Sequence, residues 1–202
     1  MPWDYNDEQK QIQEKFDSVR MATRLIEKTY QEELDGSDIS LITSQRMFFL
    51  ATADREGEPY CTFRGGDPGF VKVIDSTTLA WPEYDGNGMF LAVGNIAANP
   101  KVHLLFIDWE NQRRIRVAGD AALVFDGPLV SEWHKAKLAV VVKVTRAFPN
   151  CKRYIPKMEV VEESRHVPRQ GASTPVADWK REDWVCDALP QDDPARDPSA
   201  PQ

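Results

Sequence analysis

Apolar positions change their spacing along the chain, and each change marks a different kind of element. From Asn6 to about Leu34, the residues Ile12, Phe16, Val19, Met21, Leu25, Ile26 and Tyr30 recur near a 3.6-residue period among charged neighbours, which predicts one long amphipathic helix. Asn6 or Asp7 suits its N-cap, and Leu34-Asp35-Gly36 supplies a stop. A short helical turn from Ser37 or Asp38 then carries Ile39, Leu41 and Ile42.

From Met47 to Ala118 the pattern becomes short apolar runs broken by Gly, Asp and Pro, as antiparallel strands require. Met47–Ala53 reads as a strand, DREGEP as a hairpin turn, and residues 60–63 as the return strand. FVKVID and LAW follow as the third and fourth strands. PEYDGNG then turns into a helix over residues 89–97, which stops before Asn99-Pro100. Residues 102–108 and 114–125 alternate as strands around the polar WENQR, and after a turn at Asp126-Gly127-Pro128 the β-branched run 136–148 closes the set. The whole reads as a small antiparallel barrel with one inserted helix. Residues 162–176 resemble an extended arm, 178–189 a short helix presenting Trp179 and Trp184, and 190–202 a disordered tail rich in proline and acid.

A chain of 202 residues with 42% hydrophobic content buries one core, so we expect a helical extension over 1–45, a barrel domain over 46–160 and an arm over 161–202. The formal net charge of −7 argues against a general nucleic-acid binder, and any anion site must be a local cluster. No apolar run approaches the ~20 residues of a membrane span. The start MPWDYNDEQKQ lacks a signal peptide's basic region and apolar core, so a cytoplasmic location is expected. Cys61, Cys151 and Cys186 are widely spaced and read as free thiols. His103, His134 and His166 fall in separate elements, without the spacing that sets two on one helical face, and no metal is expected.

Cations at strand positions are the candidate chemistry. Arg64 ends a strand beside Gly65 and Gly66, where a backbone free of side chains admits a ligand closely, and Lys72 lies in the next strand. Alternation puts Arg114 and Arg116 on one face of their strand and Arg113 on the other. Two arginines on one face are either solvated or matched by an anion. Backbone N–H groups around Asn87, Gly88 and Met89, at a helix start, suit an anion, with the Asn87 side chain assisting. Trp81, Tyr84 and Trp109 can stack on a ring or pack a core, and packing is the reading favoured for Trp109. Asn95 can face a ligand, cap or pack. Cys151 beside Lys152 and Arg153 lacks an accompanying histidine, so no nucleophile is assigned, and no catalytic residue is identified.

The order of LATADREGEP, FRGGDPGFVKV, the DGNG turn, Asn99-Pro100 with VHLLF, RRIRVAG and FPNCKRYI resembles the pyridoxamine 5'-phosphate oxidase-like proteins with the FMN-binding split barrel, over roughly residues 46–154. The resemblance implies a mainly β fold with flanking helices, a six-stranded antiparallel split barrel, and a homodimer with FMN at the subunit interface. It places Val71, Lys72 and Val73 on a flavin-holding segment, and Arg114 at a flavin-contacting glutamine position with Arg116 two residues on. The family's basic pair at a helix start falls on Gly88 and Met89, which leaves phosphate to Arg64, Lys72 and Arg114. Arg153 and Tyr154, with Tyr84, are candidates for substrate or the second subunit.

By this resemblance the chain is an FMN-dependent oxidoreductase passing hydride between a small organic substrate and flavin. The family's substrate signatures for vitamin B6 are missing, with GPLVSEWHKAKLAVVV and HVPRQG in their places. The alternatives are an F420-dependent reductase on the same fold and a flavin-binding module without turnover. Haem, bound by some split-barrel relatives, finds no evident axial histidine here.

Overall fold

The computed structural model describes residues 4–201. Asn6 caps α1 (Asp7–Lys15): its side chain accepts from the Gln9 amide at 2.8 Å, and the Gln9 side chain accepts from the Asn6 amide at 3.1 Å. The expected single helix is two. α1 ends at Phe16, Asp17 takes the left-handed φ of 49°, and a separate α2 (Val19–Thr29) follows. Gly36 does not end a helix but begins α3 (Gly36–Ser44), because the Asp35 carboxylate accepts from the Ser37 and Asp38 amides at 2.8 and 2.9 Å.

Seven strands, rather than six, form one sheet: β1 (Met47–Ala53), β2 (Pro59–Gly65), β3 (Lys72–Asp75), β4 (Thr78–Glu83), β5 (Lys101–Asp108), β6 (Arg113–Val124) and β7 (Leu138–Pro149). Their order is β2-β1-β5-β6-β7-β4-β3, with every neighbour antiparallel. All seven strand segments read from the sequence are present, and the short edge strand β3 pairs only with β4, through a register shift between Val73 and Asp75. α4 (Leu91–Ala98) is inserted between β4 and β5, and the short α5 (Pro128–Ser131) between β6 and β7.

Alternation along the strands makes the core. Phe48 and Leu50 of β1, Leu104 and Phe106 of β5, Ile115 and Val117 of β6, and Val140 and Val142 of β7 are all buried. Each such side chain stabilises the fold by roughly 1.5–3 kcal/mol when fully buried. Phe48 meets Trp81 of β4 edge-on, with centroids 5.1 Å apart and planes at 74°. β1 and β4 are remote in strand order, so this contact shows the sheet curling onto itself while β2 and β3 remain open edges. α4 docks through Ala92, Val93 and Ile96, and Asn95 packs with it, donating to Thr52 Oγ1 at 3.2 Å. At a register shift in β6, Gly119 is obligatory, since a Cβ there would meet the Lys143 carbonyl oxygen at 2.3 Å.

The C-terminal segment folds over one end of the barrel. Residues expected as one helix form two 3₁₀ turns, Asp178–Arg181 and Cys186–Ala188, and the following stretch carries a third at Pro194–Arg196 and buries Asp193. The buried ammonium of Lys180 accounts for this order by drawing in two carboxylates, described below. Among the described residues no helix is long and apolar enough to cross a membrane.

Candidate functional site

β2 and β4 end close together where the barrel is split. Arg64 Nε donates to Glu83 Oε1 at 2.6 Å, and Trp81 Nε1 donates to the same oxygen at 3.0 Å. With side chains only 18% and 11% exposed, Arg64 and Glu83 form a pair largely withdrawn from water. Arg64 Nη1 donates to Thr62 Oγ1 at 3.2 Å and to the Phe63 carbonyl at 2.9 Å. Among the described residues its Nη2 has no partner, so the two N–H groups of that nitrogen remain for a ligand.

Beside this pair opens a cleft of about 310 Å³, lined by the end of β2, the loop from β4 to α4 and the first turn of α4. The loop is shaped by local bonds: Asn87 Oδ1 accepts from the Met89 amide at 3.0 Å, Gly88 takes a φ of 75°, and Phe90 a φ of 49°. No side chain caps α4. The first intrahelical bond from its amides is Gly94 to the Phe90 carbonyl, so the amides of Leu91, Ala92 and Val93 have no acceptor among the described residues. Such a first turn, at the positive end of a helix dipole, attracts an anion. Phe63, Met89, Phe90 and Leu91 expose apolar side chains around it.

The C-terminal segment holds the loop from behind. Lys180 Nζ donates to Asp85 Oδ2 at 2.5 Å and Asp193 Oδ2 at 2.7 Å, and Lys137 Nζ lies 2.8 Å from Asp85 Oδ1. Lys180 and Asp193 side chains are 6% and 3% exposed. Burial works to lower the Lys180 pKa, but Asp193 and Asp85 outweigh it and hold the group above its ordinary value. At Asp85, burial works upward and is outweighed by Lys137 and Lys180, leaving the carboxyl below its ordinary range. Asp85 therefore reaches the cleft already neutralised. Burial pushes the Tyr84 hydroxyl above its ordinary pKa, so it stays a proton donor.

Of the residues singled out in the sequence, Arg64, Tyr84, Asn87 and Gly88 line the cleft together. Trp81 is fully buried and reaches the site only through Glu83. Beside Gly66 the space that a Cβ would need is filled by Phe70, at 2.5 Å, so the close approach there is internal packing. Val71 is in the core and Val73 packs against it. Lys72, between them, is ion-paired with Glu132 and lies 5.3 Å from the Trp133 ring centroid. Arg153 lies past β7, where it holds the Cys151 thiol below its ordinary pKa, and Tyr154 is 95% exposed.

Arg114 and Arg116 lie elsewhere. Arg116 pairs in register with Leu105 and Phe148, on the face opposite the buried Leu104 and Phe106, whereas Arg64 pairs with the inward-facing Phe48. The sheet thus separates the two arginines from Arg64. Arg116 stacks over Phe148 at 5.6 Å, and burial, then the Arg114 charge, lowers its pKa. Neither Arg114 nor Arg116 has an ion pair among the described residues, and Arg114 Nε is buried without a hydrogen-bond partner. Arg113 faces the other way and bonds Asp108 at 3.3 Å, as alternation requires.

Sequence reasoning missed Glu83, the apolar rim and the Lys180 clasp. Glu83 at a strand end has the pattern of a solvated residue. Lys180 and Asp85 are 95 positions apart, a separation at which no local spacing links them.

Among known proteins, a family model described as pyridoxamine 5'-phosphate oxidase matches residues 39–162, more than half of the chain. The chain belongs to this family. As a pyridoxamine 5'-phosphate oxidase family member it carries the split-barrel fold described above. Similar solved structures include HupZ of Group A Streptococcus, with 18% identity over 62% of this chain and 100% of that one and a TM-score of 0.48. Another is a putative pyridoxamine 5'-phosphate oxidase from Lactobacillus delbrueckii, with 20% identity, coverage of 58% and 95%, and a TM-score of 0.49. A third is an FMN-binding protein from Syntrophomonas wolfei, with 16% identity, coverage of 70% and 96%, and a TM-score of 0.42. No curated protein matches the chain significantly.

Proposed function

We propose that this family member is an FMN-dependent oxidoreductase acting on a small organic substrate by hydride transfer. The observation that carries the reading is the uncapped first turn of α4, opening beside Arg64 into a cleft with an apolar rim. A molecule with a phosphate at one end and a flat apolar ring at the other matches both features. The Leu91, Ala92 and Val93 amides, with Arg64 Nη2, would hold the phosphate. Phe63, Phe90 and Leu91 would wall the ring and exclude water from it, and Tyr84 would offer a hydrogen bond. Bound FMN supplies the two-electron chemistry, so no triad or carboxylate dyad is required of the chain.

The rim and the outer sheet face also support a homodimer with the cofactor at the interface. Phe63, Met89, Phe90 and Leu91 are apolar surface that a second copy would cover. Arg114 and Arg116, without an ion pair among the described residues, would then reach the cofactor held in the opposite cleft. FMN titration, followed by flavin fluorescence with wild type and Gly88→Val, tests the phosphate site. A β-branched residue at the positive φ of Gly88 distorts the loop, and affinity should fall roughly tenfold or more. Unchanged affinity would remove the loop from the site. F420 retained in place of FMN would move the assignment to the deazaflavin cofactor, and retention of flavin without reduction by NADPH or an organic donor would indicate a binding module.

A further inference from the structure

We propose a second ligand site, separate from the cleft, that takes a compact organic cation such as an aromatic or alkyl ammonium. It is a pocket of about 430 Å³ at the start of β1, closed by the turn between β5 and β6 and by residues 158–160, and it shares no residue with the cleft. Its volume suits a small organic molecule.

The walls and the charges define the ligand. Met47, Trp109, Met158 and Val160 supply apolar surface, and the two thioethers adapt to irregular shapes. The Met158 amide donates to the Trp109 carbonyl at 3.3 Å, which fixes the crossing segment against the turn that carries the indole. Four charged side chains also line the pocket. Arg46 is neutralised by Glu163 at 2.5 Å, and Asp108 by Arg113 at 3.3 Å, with Asn111 donating to it as well. Glu110 and Glu159 remain, both exposed and without an ion pair among the described residues. An apolar pocket containing an indole face and ringed by two uncompensated carboxylates repels anions, and it favours a cation that is weakly hydrated.

Among the tryptophans of the strands and their connections, Trp109 is the one left partly open to solvent. Trp81 fills the core and Trp133 bonds the Phe70 carbonyl, but Trp109 is only half-buried at a strand end, where a packing role would place it under other side chains.

The test is calorimetric titration of the full chain with benzyltrimethylammonium, benzyl alcohol and phenylmethanesulfonate, with and without FMN. The ammonium should bind roughly tenfold more tightly than the neutral alcohol, and the sulfonate should not bind. Glu110→Gln with Glu159→Gln should weaken the ammonium by about fivefold or more while leaving the melting temperature and FMN binding unchanged, because both positions are exposed. Trp109→Leu should abolish the preference for the charged probe. Equal affinity for ammonium and alcohol, full retention in the double glutamine variant, or no binding of the ammonium would each overturn the proposal. FMN binding that fails while the ammonium still binds would count against the flavin assignment alone.

Discussion

Arg64 and Glu83 stand 2.6 Å apart across a gap that no backbone ladder bridges, since β2 and β4 are not neighbours in the sheet. One charged contact, shared with the Trp81 indole, therefore ties the open β2 edge to the end of β4 at the mouth of the cleft. Arg64→Ala leaves Glu83 with the indole as its single donor, and loss of one partner from a largely buried pair should cost on the order of 3 kcal/mol. Replacing both, as Arg64→Met with Glu83→Met, should recover much of that loss. Urea denaturation of the three proteins checks this, and equal stability of wild type and Arg64→Ala would contradict it.

Lys180 links a distant segment to the same loop. Lys180→Met should uncover the Asp193 carboxylate, which is 3% exposed, and release the C-terminal segment from Asp85. The expected readouts are cleavage by trypsin after Arg181 much faster than in wild type, and FMN affinity lowered several-fold through the loosened loop. Wild-type cleavage kinetics would show that the clasp is not what holds the segment.

His103 gives the fold a pH dependence. Its Nε2 is buried without a hydrogen-bond partner among the described residues, and burial first, then the Arg146 and Arg116 charges, place its pKa below the ordinary value near 6.5. The unfolded chain therefore binds a proton that the folded chain refuses. Its contribution is fully present above pH ~6.5 and is lost progressively as pH falls from there to the depressed folded value. Urea midpoints at pH 8 and pH 5.5 should differ less in His103→Gln than in wild type. An identical difference would assign the pH response to other groups.

Much of this architecture was legible in the chain because its signals are local. The alternation in β5 and β6, the Asn6 cap, the helix before Asn99-Pro100 and the opposed faces of Arg113 and Arg114 all follow from spacing over a few residues. The break at Asp17 was hidden because a helical apolar period continues through it, although Phe16, Asp17 and Ser18 form a short turn in which Asp17 takes a positive φ. The site was legible only in parts. Arg64, Tyr84, Asn87 and Gly88 converge because β2 and the loop after β4 meet at the split. Lys72 and Trp81 do not join them: one is held by Glu132 and the other is consumed by the core. Contacts such as Arg64 with Glu83, or Lys180 with Asp193, depend on how the sheet curls and where the C-terminal segment returns.

If the cofactor lies between two copies, Arg64→Ala and Arg116→Ala damage opposite halves of each site. Either variant alone should retain little FMN, whereas subunit exchange between them should restore about one quarter of the wild-type sites, since half of the dimers then carry one intact site of two. No recovery, with exchange verified, would place both arginines in one chain's site, and full FMN retention by Arg116→Ala alone would exclude Arg116 from it.

The most direct test is the visible absorption spectrum of the purified chain after incubation with FMN and removal of unbound ligand. Flavin bands retained by wild type and lost from Arg64→Ala, with the variant still folded by circular dichroism, are the expected result. A folded wild-type protein that retains no flavin would contradict the assignment of the cleft.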